Sequence, residues 1–203
     1  MKIEMAESLM YSWLKHIKNC HVVQLNWKTS SHWKQYNKDD INNVVLQMNE
    51  MFDNVFKKNT ISQLLSQGEI DVLGVNTDNQ SIYAIDVAFH TYGLRYTDNI
   101  LKISEKMLRT ALILWTYFNT KDGNIIFACP KINPSDYKKI KERVAKIQDF
   151  MKDKGFNYGF SLVANENFEQ VIKDVIDLSV DVADTSELFL RSCQLCILTQ
   201  KNK

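Results

Sequence analysis

GEIDVLGV at residues 68–75 and SIYAIDVAFH at residues 81–90 decide how this chain is read. Both runs are rich in β-branched and aromatic residues, and the short polar segment Asn76–Gln80 between them suits a hairpin connection. Strand alternation groups Tyr83, Ile85, Val87 and Phe89 on one face of the second strand and Ala84, Asp86, Ala88 and His90 on the other. On the first strand it groups Glu69, Asp71 and Leu73 against Ile70, Val72 and, with Gly74 disturbing the last step, Val75. Two carboxylates, Asp71 and Asp86, are thereby expected to converge from adjacent antiparallel strands, with His90 further along the same strand face if the strand stays extended. Acidic residues are poor strand formers and costly to bury unpaired, so something must compensate them. A divalent cation does so naturally, because Mg²⁺ takes one or two carboxylates together with waters.

Working outward, Ile3 to Ile17 carries apolar residues at helical spacing, and Cys20 to Lys28 reads as a strand. A helix capped by Asp39 or Asp40 is expected to carry the stripe Ile41, Val44, Val45, Met48, Phe52, Val55 and Phe56. After the hairpin, the periodicity predicts a long helix from about residue 98 to 118, ended by Asp122 and Gly123, then a strand over 124–129. Pro134 opens a basic helix, residues 160–164 form another strand, and two helices close the chain. The last is introduced by Asp184-Thr-Ser-Glu187, a capping-box spacing. The expectation is an α/β fold and one domain over residues 1–203, with no linker-like tract and no internal repeat.

The pattern GEIDVLG, then IYAIDVAFH, then a long helix and a short strand, resembles the core of the PD-(D/E)XK nuclease superfamily. The resemblance covers roughly residues 40–130. It implies a restriction-endonuclease-like mixed sheet flanked by helices, here with extra C-terminal helices. In that superfamily the first Asp and the (D/E) bind metal, the X residue offers its carbonyl, and the Lys positions or activates the attacking water. Carried over, Asp71 is the first Asp, Asp86 the (D/E) and Val87 the X, and the implied cofactor is Mg²⁺ or Mn²⁺. Ala88 stands where the Lys should be. His90 on the Asp86 face, or Lys102 or Lys106 on the following helix, are the candidates to replace it. The superfamily often adds an acidic residue from the helix before the sheet, and Glu7 is favoured over Glu50, which falls opposite its helix's apolar stripe.

Outside the core, WKTSSHWKQYNK interleaves Trp27, Trp33 and Tyr36 with Lys28, Lys34 and Lys38, a composition suited to stacking bases and contacting phosphates. Lys28, Trp33, Lys34 and Arg95 are the nucleic-acid candidates. The net charge of +1 argues against holding nucleic acid by bulk electrostatics and leaves room for a local basic groove. Signatures of P-loop, dinucleotide-binding, α/β-hydrolase and zincin chemistry are all missing. Cys193 and Cys196 read as packed, reduced thiols. The expected function is a Mg²⁺-dependent nuclease acting on DNA. The alternative is a non-catalytic nucleic-acid-binding or assembly protein on a nuclease-like fold. The protein is expected to be cytoplasmic, without a membrane partner, and open to homodimerisation through its apolar C-terminal segment.

Overall fold

The computed structural model describes residues 4–57, 59–66, 68–90, 92–182 and 185–200. Its centre is a five-stranded mixed sheet, in the order β1 (Val22–Lys28), β2 (Glu69–Asn76), β3 (Ser81–Val87), β4 (Asp122–Cys129) and β5 (Asn157–Ala164). The β1–β2 and β2–β3 pairs are antiparallel; β3–β4 and β4–β5 are parallel. The hairpin turns as expected. Asn76 pairs with Ser81, and the Asn76 Oδ1 accepts from the amides of Asp78 and Asn79. Parallel pairing requires crossovers, and helices supply them: α4 (Asn99–Tyr117) between β3 and β4, and α5 (Pro134–Asp153) between β4 and β5.

Helices cover both faces. α2 (Lys38–Met51), α3 (Ile61–Ser66), α4 and α5 bury one side, where Ile70, Leu73, Ala84 and Phe127 meet Met48, Leu108, Ile113 and Ile147. α1 (Met5–Ser12), α6 (Glu166–Leu178) and α7 (Leu188–Gln200) bury the other, where Val72, Ile85 and Ile126 meet Leu9, Leu14, Val175 and Leu190. The mixed sheet flanked by helices is therefore as expected. α4 starts where Asp98 accepts the Leu101 amide at 2.9 Å, a side-chain N-cap.

Several local features differ from the sequence reading. The first helix widens into a π-helical turn over Trp13–Ile17. α2 ends at Met51, and its N-cap is Asn37 in the left-handed region rather than Asp39 or Asp40. α4 stops at Tyr117, so Asp122 and Gly123 open β4 instead of closing the helix. Asp184 lies outside the described residues. Glu187 sits just before α7, with its carboxylate turned onto α1 and the π-turn. Of the C-terminal leucines, Leu190 joins the core while Leu188, Leu195 and Leu198 are exposed. No helix among the described residues is long and apolar enough to cross a membrane.

Candidate active site

The sheet's regular alternation fails at Asp71, and the failure builds the site. The β1–β2 ladder runs Leu25↔Val72, skips one position, and resumes at Trp27↔Ile70. At the skip, Asn26 adopts a φ of 50°, outside the extended region. Val72 consequently packs in the α1-side core and Ile70 in the α4-side core, although they are two residues apart. The expected grouping of Ile70 with Val72 is thus incorrect, because an unpaired left-handed residue turns the edge strand over. Asp71, at the turning point, extends its carboxylate to the end of β3, where Oδ2 accepts the Val87 amide at 2.7 Å.

Asp86 keeps the predicted alternation with Ala84 and Ala88 and faces α4. It is almost fully buried, and both its oxygens are held. Oδ1 lies 3.0 Å from Lys106 Nζ and Oδ2 accepts from Thr110 Oγ1 at 3.0 Å. Lys106 and Thr110 are four residues apart and share one helix face. Lys106 is itself mostly buried. Burial alone would lower its pKa, but the Asp86 and Asp71 charges and the Asp86 hydrogen bond outweigh that and hold it above the ordinary lysine value. This side chain is therefore a cation.

The charges do not balance. Asp71 and Asp86 carry two negative charges against one on Lys106, and Glu7 of α1 adds a third from the other layer. Burial pushes the Asp71 carboxyl up to about 6, opposed by Lys106 and the Val87 amide and reinforced by Asp86 and Glu7. The Glu7 carboxyl is also raised, chiefly by burial. The Asn26 side-chain amide lies beside the Glu7 carboxyl and opposes that rise. An unmet negative charge lined by hard oxygen donors is what a small divalent cation requires. The residues present fit Mg²⁺ or Mn²⁺ held by two carboxylates. Among the described residues, no three His, Cys, Asp or Glu side chains converge to cage an ion.

The other sequence candidates are distributed unevenly. Val87 follows Asp86 and fixes the strand end through its amide bond to Asp71. His90 lies beyond the strand, which ends at Val87. It is exposed and packs edge-on against Tyr96 with ring centroids 5.8 Å apart, so its expected place on the Asp86 strand face does not survive. Lys102 is turned to Glu105 at 2.8 Å, while Lys106, one helical turn on, reaches the carboxylates. Lys28 pairs with Glu69 at 3.2 Å across the β1–β2 ladder. Trp33 leans on Trp27, Lys34 lies over the Tyr36 ring, and Arg95 over Tyr92. Thr110 was legible only as a polar residue on the stripe Ile103, Lys106, Thr110 and Ile113, where apolar side chains are expected. Compared with family models, curated proteins and solved structures, the chain matches none.

Proposed function

We propose that this chain is a Mg²⁺- or Mn²⁺-dependent nuclease of the PD-(D/E)XK kind, hydrolysing phosphodiester bonds in DNA. The observation that carries the reading is Lys106. An amine from α4 stands 3.0 Å from the second acidic residue of the hairpin, beside the first, and supplies from the helix the group that Ala88 lacks on the strand. Asp71, Asp86 and the Val87 carbonyl would hold the ion, with Glu7 adding negative charge from α1. The ion would supply Lewis-acid polarisation of the phosphate and a more acidic water.

The chain's own residues have separable tasks. Lys106 stays protonated, so it cannot take a proton from water; it positions a nucleophile and offsets charge developing on a phosphate oxygen. Thr110 and Lys106 together fix the Asp86 carboxylate, which leaves one rotamer for an incoming cation to meet. Asp71 must be ionised to take part, and its raised pKa makes that step pH-dependent near 6.

The rival reading is a non-catalytic binding or assembly protein. It is favoured by the way Lys106 and Thr110 already satisfy Asp86, which is how a purely structural buried pair would look. Thermal shift separates the two. On the nuclease reading, Mg²⁺ or Mn²⁺ raises the melting temperature of the wild type and leaves Asp71→Asn unmoved. No shift in either protein, together with no cleavage of plasmid or single-stranded DNA, would leave the binding protein standing.

A further inference from the structure

The acidic pair lies between two exposed aromatic surfaces, and from this we infer that the substrate is engaged as a single strand, its unpaired bases stacked on either side of the reacting phosphate. The inference rests on the nuclease reading for the position of that phosphate, but not for the binding itself. The first surface is at the β1 edge. Trp27 stands opposite Ile70, next to Asp71, and carries Trp33 with ring centroids 5.5 Å apart. Trp33 is 47% exposed and is further braced edge-on by Tyr117 at 6.2 Å. Trp27 rests in turn on Phe118 at 5.1 Å, so an aromatic column runs from the core to the surface and holds the outer ring without costing it freedom on binding.

The second surface is the loop that follows β3, two residues beyond Asp86. Leu94 is buried and donates its amide to the Lys131 carbonyl at 3.0 Å, while Gly93 donates to His90, so the loop is pinned to the end of β4. Between and beside these anchors, Phe89 is 48% and Tyr92 75% exposed. The Arg95 guanidinium sits 5.3 Å from the Tyr92 ring centroid. The exposed Tyr92 ring offers a face for stacking, and the guanidinium beside it is poised for a phosphate.

Sheet order makes the two surfaces flank one site. At this end of the sheet the sequence of positions is Trp27 on β1, Asp71 on β2, Asp86 on β3, then the loop tied to Lys131 after β4. Three strand spacings, roughly 15 Å, separate the outer pair. Paired bases in a duplex hide their faces in the stack, so ring platforms on both sides of the carboxylates select a strand whose bases are free. DNA and RNA strands share that chemistry.

The test uses the full chain in EDTA, where no cleavage intervenes, and fluorescence anisotropy of labelled oligo(dT), oligo(rU) and a DNA duplex of the same length. Single strands should bind more tightly than the duplex, with quenching of tryptophan emission. Trp33→Ala and Tyr92→Ala should each weaken single-strand binding about tenfold, and Tyr92→Phe should retain it. The two oligomers tell which strand chemistry is preferred, and binding of either supports the inference. Duplex binding as tight as single-strand binding, or alanine variants that bind like wild type with an unchanged melting temperature, would overturn it. A protein that binds strands this way yet never cuts with Mn²⁺ would instead refute the nuclease reading alone.

Discussion

Two buried acids in this molecule are built from the same parts and come out opposite. Asp86 is held by a lysine and a hydroxyl, Lys106 and Thr110. Glu187 is held by a lysine and a hydroxyl as well: Lys15 at 2.7 Å and Ser12 at 2.7 Å, with His16 Nε2 3.0 Å away. Around Glu187 the account is closed. Burial pulls its pKa up, but the bonds from Lys15, Ser12 and His16 outweigh burial, and the carboxyl sits below its ordinary value. Around Asp86 a second carboxylate, Asp71, remains in excess and is pushed up to about 6. A matched acid ties α7 to α1, as a structural clamp should. An unmatched acid at the end of a strand keeps a carboxyl raised chiefly by burial, and the proposed cation would relieve it.

The largest effect should come from removing the shared cation. Lys106→Met leaves the buried Asp86 and the half-buried Asp71 without their counter-charge and should destabilise the protein by about 3–5 kcal/mol in urea titrations, with cleavage reduced at least about a hundredfold. The corresponding break in the clamp is smaller. Glu187→Gln should cost about 1–3 kcal/mol, less any share from the half-exposed Lys15, and should leave cleavage within about twofold of wild type. If Glu187→Gln abolished cleavage while the fold held, the division between clamp and site would be wrong.

Asp71→Asn should move stability the other way. A carboxyl whose folded pKa is raised makes the folded state bind protons more tightly than the unfolded chain. Metal-free stability should therefore fall as pH rises from the ordinary Asp value of 3.8 to about 6, and the cost is fully present above that. Removing the charge should stabilise the metal-free protein by about 1–3 kcal/mol at neutral pH and abolish the metal-induced rise in melting temperature. Glu187 has the reverse sign. Its stabilisation is present above the ordinary Glu value of 4.5 and is lost as the pH falls below it, so the acid limb of a stability–pH curve should flatten in Glu187→Gln. The smallest effect belongs to Lys102→Ala, which breaks only a part-exposed pair with Glu105 and should change stability by about 0.5 kcal/mol or less.

The hairpin was legible because alternation and turn chemistry agree over Val72–Val87, and Asp86 points where period two sends it. The handover of faces at Asp71 was not, since nothing in a run of β-branched residues announces that Asn26, on another strand, turns left-handed. The strand end at Val87 was also hidden. Phe89 and His90 continue the alternating pattern, but α4 and the Lys131 contact draw the chain out of the sheet before them. β5 begins three residues earlier than Phe160 because pairing to β4 recruits Asn157 and Gly159, both poor strand formers by themselves. α3 escaped notice because six residues give less than two turns of periodicity. Lys106 was visible as one of two helix lysines that could stand in for Ala88, but nothing in the sequence chose it over Lys102. The choice is made by a residue twenty positions earlier, whose side-chain direction only the packed sheet defines.

Cleavage of supercoiled plasmid and labelled single-stranded DNA with Mg²⁺ or Mn²⁺, comparing wild type, Lys106→Ala and His90→Ala, tests the central claim most directly. The wild type should cut only with metal, His90→Ala should still cut, and Lys106→Ala should lose cutting with the fold still cooperative. A folded wild type that never cuts, or a Lys106→Ala protein that cuts as well as it, would contradict the assignment of Asp71, Asp86 and Lys106 as a hydrolytic centre.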